Sequence, residues 1–599
     1  MHAAALRGVP TMRGAALARL AYSSLLLPSL WSLLRRLSPR DGGALGRLLA
    51  AAPDPGREPL TPLLLLLAEG AAHLLPVLDE REVFSERRPF GPDELAHLAT
   101  FLNALAFRLF WDAPISAGAV VAAADGGGAR ELRDASVRLL GLLHERDGRR
   151  SFCADGAWLA PGVAPPRLRS DFNSNVPRAR ALVASCPWML PFELRVEVFR
   201  ELIVRERDAL PGEAAPEHLR GHRVKIRREH LLEDGYVQLA ALPADAMKGT
   251  VRVEFVSGLG LAEAGIDRTG VFKEFLEDVL KRAFDVDRGL FALTPQQRLC
   301  PSAASELADP NHLRLFEFVG RMLGKAVYEG IVIELPLADF FVAKLLGRYP
   351  GFDLLPSLDA QLHASLEQVK VYDGDVENDL CLSFSVEEEQ FGARSTVELR
   401  DGGAAIPVTA DNRIEYVHLV ADYHLNKKLA PQAKAFVAGL HAVVPPGWLR
   451  LFSAPELQRL VNGDDAPVDV GDLRKHTRYA AGYNAMSPTV RDLWAVVGEM
   501  GRDDRALFLK FVTSCSRPPL LGFAHLAPPF TIQCVSSDGE GEPTSAVMAF
   551  FGVGRKETGR LPTASTCFNL LKLPNFKSKK VLREKLLYAI RSGAGFELS

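Results

Sequence analysis

Apolar residues in the first part of the chain recur at the spacing of α-helices. The clearest segment, 94–111, places on one face Leu95, Leu98, Phe101, Leu102, Leu105 and Leu109. Proline and glycine separate such segments, so we predict a helical region over 1–150, although it has no clean repeat period. Residues 151–180 are rich in Pro, Gly, Ser and Asn and predict a boundary. Because a helix is expected over 191–210, we assign 151–222 to a linker and a connecting helix.

The pattern changes after residue 222 to a mixture of strands and helices. Val251, Val253 and Phe255 alternate with charged residues, which is typical of a half-buried strand. Asp267 is a suitable N-cap for the helix that follows. The apolar residues of that helix lie on adjoining faces and are Val271, Phe272, Phe275, Leu276, Val279 and Leu280.

Two segments rich in glycine and aspartate divide the rest of the chain. Residues 401–403, Asp-Gly-Gly, predict a hairpin turn. Residues 462–471 contain several chain-breaking residues and separate a last unit. The expected fold class is therefore α+β, with an N-terminal helical region followed by a mixed α/β region in two parts.

The last unit contains a cysteine in a setting that suits a nucleophile. Cys567 follows a run of small polar residues, and an apolar stretch that predicts a buried strand comes directly after it, with Leu570, Leu571 and Leu573. A helix is expected from about Ser578, burying Leu582, Leu586 and Ile590. A thiol on such a loop is either exposed and reactive or an inert, partly buried side chain.

The neighbourhood of Cys567 favours one kind of thiol chemistry. No histidine is near it in sequence, and a thiol that attacks an unactivated amide needs a base. A thiol that accepts an acyl group from another thioester needs less help, because the bond is already activated. The local sequence therefore favours thioester exchange over hydrolysis, while a base distant in sequence stays open.

Composition and charge exclude several classes of protein. The formal net charge is −2, which gives no electrostatic reason to expect a nucleic acid partner. Seven cysteines without a CxxC pair predict neither a disulfide framework nor a zinc site. A reducing, cytoplasmic location fits this cysteine usage, and no metal is expected.

The first 40 residues contain six arginines and no acidic residue. Their apolar segment, 15–37, is interrupted by Pro28. It reads either as a mitochondrial targeting segment or as a core helix, and it is too broken to span a membrane. Lysine is also unevenly distributed, since the first of the 18 lysines is Lys225.

Several motifs resemble those of HECT-type ubiquitin ligases. The residues around the cysteine, Leu561-Pro562, Thr566-Cys567-Phe568-Asn569 and Leu573-Pro574, resemble the active-site signature of that family. Other similar motifs follow the family order: Gly265-Ile266-Asp267, Gly270-Val271-Phe272-Lys273-Glu274-Phe275, Thr477-Arg478-Tyr479, Gly482-Tyr483 and Phe511-Val512-Thr513. The resemblance covers about residues 223–599.

The similarity is greatest to the branch that carries an upstream IQ motif. No IQ pattern occurs in residues 1–230, so calmodulin binding is not carried over, and we expect a truncated or alternative product of a longer protein. Many family members have a histidine two positions before the cysteine, whereas this chain has Ser565. A role of that histidine therefore does not transfer.

The resemblance implies a two-lobed catalytic domain: a large lobe at 223–463, a hinge at 464–470 and a small lobe at 471–599. Cys567 would receive ubiquitin from a conjugating enzyme and pass it to a lysine of a protein substrate, with Thr566 and Phe596 in support. The reaction needs no metal, nucleotide or organic cofactor, because the thioester already stores the energy. The implied partners are ubiquitin, a ubiquitin-conjugating enzyme and protein substrates, with no nucleic acid and no stable membrane insertion.

The resemblance also implies a docking groove for the conjugating enzyme. Its apolar residues are Leu362, Leu366, Val369, Leu380, Leu382, Tyr416 and Val420. Leu380 and Leu382 are expected on a strand. Taken by itself, the stripe that begins at Leu358 is typical of a hydrophobic core. A shallow apolar groove suits a weak, transient interface, so both interpretations stand at this point.

Two other classes of protein stay open. A cysteine hydrolase of ubiquitin conjugates requires a histidine brought to Cys567 by the fold, and His525 is one of several candidates. A helical scaffold with an inactive catalytic module is the second alternative, although the intact Cys567 loop argues against it.

Overall fold

The computed structural model describes residues 20–22, 25–36, 60–111, 127–210, 221–256, 270–390, 393–535 and 561–592. Within these ranges the chain combines helices with small sheets, which confirms the α+β fold class. No helix in the described ranges is long and apolar enough to cross a membrane.

The N-terminal region is helical, as the apolar spacing predicts. Its helices are α1 (Leu26–Arg36), α2 (Thr61–Leu74), α3 (Pro92–Trp111), α4 (Gly127–Arg149), α5 (Pro165–Asn173), α6 (Pro177–Ser185) and α7 (Phe192–Asp208), with a π-helical turn, Arg81–Glu86, before α3. Pro28 lies in the first turn of α1, which buries Leu27, Trp31 and Leu34. The described part of the apolar segment is therefore a core helix, while residues 1–19 lie outside the described ranges.

Strands and helices then alternate over residues 221–463. The elements are β1 (His222–Arg227), α8 (Leu231–Leu239), α9 (Ala244–Lys248), β2 (Val251–Val256), α10 (Gly270–Ala283), β3 (Phe291–Leu293), β4 (Leu299–Pro301), α11 (Ser305–Ala308), α12 (His312–Glu329), α13 (Asp339–Leu345), α14 (Ala360–Val371), α15 (Val376–Leu380), β5 (Ser385–Gln390), β6 (Ala393–Glu398), α16 (Arg413–Asp422), α17 (Ala430–Val443), α18 (Pro446–Leu449) and α19 (Ala454–Asn462). The alternation of β2 is confirmed, since Val251, Val253 and Phe255 are buried. Asp267, the expected N-cap of α10, lies outside the described ranges.

The last unit contains α20 (Val470–Lys475), β7 (Arg478–Ala480), α21 (Pro488–Glu499), α22 (Arg502–Thr513), β8 (Thr531–Val535), β9 (Thr563–Ser565), β10 (Leu570–Pro574) and α23 (Lys579–Ser592). Its sheet has the strand order β7-β8-β10-β9. Strand β8 is parallel to both β7 and β10, and β9 is antiparallel to β10. The predicted final strand and helix are confirmed, because Leu571, Leu573, Leu582 and Leu586 are fully buried.

The described residues form two separate hydrophobic cores. One contains residues from Ala21 to Val461 and the other contains residues from Val468 to Ile590. We call the described residues of 221–463 the large lobe and those of 471–592 the small lobe. The N-terminal helices share the core of the large lobe, and this includes α5, α6 and α7 within the segment predicted as a linker and connecting helix.

Three local predictions were wrong. Residues 401–403 form a turn, but they follow β6, and the hairpin joins β5 to β6 ahead of them. Leu380, expected on a strand, ends the short helix α15. Gly471, predicted as a chain breaker, lies inside α20, where its N–H donates to the Asp469 carboxylate at 2.8 Å.

Candidate active site and docking surface

Cys567 lies in a short turn between two paired strands. The segment Thr566–Phe568 is one turn of 3₁₀-helix that joins β9 to β10. Thr566 is half-buried at the start of the turn and Phe568 is partly exposed at its end. The side chain of Cys567 lies outside the described part of the structure, as does all of Phe596.

Asn569 ends this turn and anchors it to the small lobe. Its backbone is left-handed, with φ of 47°, a conformation that asparagine tolerates better than most residues. Its N–H donates to the carbonyl of Thr566 at 3.1 Å, and its own carbonyl accepts from Thr531 N–H at 2.9 Å. The fully buried amide also donates to the carbonyl of Pro528 at 2.6 Å. The turn is therefore fixed by main-chain and side-chain bonds.

A lysine of the large lobe completes the anchoring. Lys273 on α10 donates to the Asn569 side-chain oxygen at 3.1 Å and to the Thr513 carbonyl at 3.3 Å. Its ammonium is 3.8 Å from the carboxylate of Glu277, one helical turn further on. Burial raises the pKa of Glu277 above its ordinary value, although the charge of Lys273 opposes that rise. Both Lys273 and Asn569 belong to the motifs quoted above, but the sequence alone gave neither of them a role.

A cavity of about 320 Å³ lies between the lobes beside this contact. Lys273, Arg200, Cys515 and His525 are among the residues that line it. His525, the candidate base of a hydrolase, is exposed in a 3₁₀ turn that precedes Pro528. Ala527, which precedes the Pro528 that accepts from Asn569, also lines the cavity.

The residues predicted to dock a conjugating enzyme lie in and around two helices that pack together. Leu362, Leu366 and Val369 are on α14, and Tyr416 and Val420 are on α16. Leu366, Tyr416 and Val420 are only 4%, 8% and 3% exposed, so these three belong to the core. Four of the predicted residues are half-buried and remain accessible: Leu362, Val369, Leu380 and Leu382.

Two exposed apolar residues near these helices were missed in the sequence. Val371 is 47% exposed at the end of α14, and Ile414 is 37% exposed at the start of α16. The end of α14 and the start of α16 lie close together, because the Arg413 guanidinium donates to the carbonyl of Tyr372. Helical periodicity selects the face that packs inward, so it passes over apolar residues that point away from the core.

Comparison with known proteins decides the family. The sequence profile of the HECT domain, a ubiquitin-transferase domain, matches residues 277–599, more than half of the chain. The chain belongs to the HECT family. The Cys567 turn and the surrounding sheet lie inside the matched HECT segment, whereas the resemblance was expected to begin near residue 223.

Proteins named as ubiquitin ligases match almost the whole chain. A human protein, ubiquitin-protein ligase E3B, is 43% identical over 595 residues, which is 97% of this chain and 55% of the relative. A probable E3 ubiquitin protein ligase of Schizosaccharomyces pombe is 38% identical over 90% of this chain and 52% of its own length. The E3 ubiquitin-protein ligase UPL6 of Arabidopsis thaliana is 33% identical, with shares of 97% and 55%. The chain thus spans about half the length of the curated relatives it matches.

Proposed function

We propose that this chain is a ubiquitin ligase that accepts ubiquitin on Cys567 and transfers it to lysines of protein substrates. In the first step the Cys567 thiolate attacks the thioester carbonyl on a conjugating enzyme. A sulfur–carbon bond forms at Cys567, the earlier one breaks, and the departing thiolate takes up a proton. In the second step a deprotonated substrate amine attacks the new thioester, forms an isopeptide bond and releases the Cys567 sulfur.

The observation that carries the proposal is the fixed turn around Cys567 within the HECT match. Residues on both sides of the cysteine are held, by strand pairing at Ser565 and by the buried Asn569. A nucleophile on a fixed turn is presented to a large partner without a loss of conformational entropy at each encounter. Thr566 at the start of the turn and Phe596 near the chain end remain proposed supporting residues.

We propose a docking surface for the conjugating enzyme that omits three of the residues predicted from the sequence and adds two exposed ones. It consists of the half-buried or exposed apolar side chains on α14, α15 and α16 and beside them: Leu362, Val369, Val371, Leu380, Leu382 and Ile414. Leu366, Tyr416 and Val420 support it from beneath. A small apolar surface of this kind suits a partner that must leave after each transfer.

We also propose that the lobes act as the family implies, with docking on 223–463, the cysteine on 471–599 and a hinge between them. The separation of the two hydrophobic cores near residues 461–468 supports this division. The six cysteines with described side chains are free, which is compatible with a cytoplasmic location.

The test mixes the chain with a conjugating enzyme that carries ubiquitin. A thiol-reducible chain–ubiquitin adduct is expected for the wild type and is lost in Cys567→Ala, because alanine has no attacking atom. Cys567→Ser traps a more stable oxygen ester. Cys153→Ser is the matched control, since Cys153 is a free, half-buried cysteine of the N-terminal helical region, away from the proposed docking surface. An adduct that persists in Cys567→Ala overturns the assignment, free ubiquitin released from conjugates indicates the hydrolase, and no change indicates the scaffold.

A further inference from the structure

The N-terminal helical region contacts the helix that carries part of the proposed docking surface. Lys370, in the last turn of α14, places its ammonium 2.8 Å from Asp79 and 2.7 Å from Glu82. Asp79 is buried, whereas Lys370 and Glu82 are half-buried, with 9% of the lysine side chain exposed. A largely shielded ion pair therefore joins residues that are 291 positions apart in the sequence.

The two carboxylates are also held by hydrogen bonds that do not involve the lysine. The Asp79 N–H donates to the Glu82 carboxylate at 2.9 Å, and the Glu82 N–H donates to the Asp79 carboxylate at 2.7 Å. Burial alone would raise the pKa of Asp79 and lower that of Lys370. The hydrogen bonds between them reverse both effects, so the pKa of Asp79 is lowered and that of Lys370 is raised. The pair is charged and geometrically fixed.

The helical region also holds the other end of α14. Arg146 and Arg149 on α4 donate to the carboxylate of Asp353 at 2.7 and 2.8 Å. The next residue back, Phe352, stacks on His363 in the first turn of α14, with ring centroids 4.5 Å apart. The helix is therefore held directly at its last turn and indirectly, through Phe352, at its first turn.

We infer that Lys370 is a positioning residue through which the N-terminal helical region sets the orientation of α14 and thereby the affinity for the conjugating enzyme. The inference rests on the proposed function. Leu362 and Val369 directly precede the two held residues of α14, His363 and Lys370, so rotation of the helix moves them together. A weak interface depends on such preorganisation, because ordering the surface on binding would subtract from the binding free energy. The transfer step occurs on the separate core of the small lobe and is expected to be independent of Lys370.

The test separates loading from discharge in the full chain. Lys370→Met is expected to raise the KM for the ubiquitin-charged conjugating enzyme about tenfold, equivalent to about 1.4 kcal/mol. Discharge of a preformed Cys567 thioester to free lysine should keep its rate. Lys370→Arg retains the charge and should restore most of the affinity.

A matched control breaks another ion pair between the same two regions. Lys248 on α9 is 2.8 Å from Glu206 on α7 and is similarly buried, so Lys248→Met should leave the KM unchanged. If Lys370→Met folds poorly, Glu82→Gln removes a less buried partner and tests the same contact. An unchanged KM in a folded Lys370 or Glu82 variant, or equal slowing of loading and discharge, overturns the inference. Failure of the wild type to load would instead overturn the proposed function.

Discussion

The Lys273 ammonium of the large lobe lies 3.1 Å from the side-chain oxygen of Asn569, two residues after Cys567 in the small lobe. Asn569 is fully buried, and its amide nitrogen donates to the carbonyl of Pro528. The lysine therefore supplies a donor to an oxygen that solvent does not reach. A contact between the lobes thus acts directly on the turn that carries the nucleophile.

Removal of this donor should loosen the turn. In Lys273→Met the Asn569 oxygen loses its partner, and an unsatisfied buried acceptor costs about 1–3 kcal/mol. We expect the backbone amides of Asn569 and Thr531 to exchange hydrogen about tenfold faster, which native-state hydrogen exchange measures. Lys281→Met is the control, because Lys281 lies on the same helix with an exposed side chain. Unchanged exchange in Lys273→Met would mean that the bonds to Pro528, Thr566 and Thr531 hold the asparagine without the lysine.

Substitutions at the docking surface should fall into two groups. Leu366→Asp places a charge in the core and is expected to lower the free energy of unfolding by several kcal/mol, and Tyr416→Ala by about 3 kcal/mol. Leu362→Asp and Ile414→Asp should leave the thermal midpoint nearly unchanged but weaken binding of the conjugating enzyme. Val237→Asp is the control, because Val237 is an exposed apolar residue on α8. Full binding by folded Leu362→Asp and Ile414→Asp would refute the surface.

Local sequence patterns predicted where helices and strands form better than they predicted which parts of the chain pack together. The helix at Pro92–Trp111, the strand at Val251–Val256 and the final helix follow directly from apolar spacing. The same spacing did not show that Leu366 and Tyr416 are buried in the core, because a row of apolar residues on a helix does not specify whether the chain itself or a partner packs on it. Contacts between residues 291 and 296 positions apart, at Lys370 and Lys273, leave no local signal. Residues 401–403 were wrongly predicted as the turn of a hairpin, because the residues of a turn do not determine which strands pair.

Glu456 should make the stability of the protein depend on pH. Burial alone would raise its pKa, but two hydrogen bonds from Arg195 at 2.5 and 2.7 Å lower it below the ordinary value of 4.5. A depressed folded pKa contributes stability above the unfolded pKa, and this contribution is lost as the pH falls through the folded pKa. Glu456→Gln leaves Arg195 buried and unpaired, so we expect a loss of about 3 kcal/mol near neutral pH.

Chemical denaturation of wild type and Glu456→Gln in increasingly acidic buffers checks the sign, since the difference between them should shrink as the pH falls. Glu499→Gln is the control, because Glu499 forms its ion pairs with Lys579 and Arg583 in solvent and should change stability little. A difference that stays constant with pH would assign the effect to packing alone.

The connection between the lobes should be sensitive to stiffening. The N–H of Asp464 donates to the carbonyl of Pro518 at 3.0 Å, and Asp469 caps α20. Between them the carbonyl of Asp465 accepts from Arg502 at 3.0 Å, but the N–H groups of Asp465 and Ala466 donate no hydrogen bond within the described residues. Asp465→Pro with Ala466→Pro restricts the backbone there. We expect slower transfer to lysine with unchanged binding of the conjugating enzyme, and Asp465→Ala with Ala466→Gly as the flexible control. Equal turnover in both double variants would argue against moving lobes.

Lysine-linked self-modification should be confined to residues after 224, with only the α-amine available upstream, because all 18 lysines lie between Lys225 and Lys585 and arginine stays protonated. The structure narrows the acceptors further, since Lys325 is buried and the side chains of Lys273 and Lys370 are largely shielded in ion pairs.

Lys577 and Lys580 are exposed and close in sequence to Cys567, so we expect them among the earliest acceptors. Mass spectrometry of the self-modified chain maps the sites. Lys577→Arg with Lys580→Arg should slow the reaction, whereas Lys427→Arg, at an exposed lysine of the large lobe, is the control. A rate per molecule that stays constant on dilution supports transfer within one chain, because Cys567 and its acceptor are then covalently linked. A rate that falls in proportion to the protein concentration would show that these lysines are modified by a second molecule.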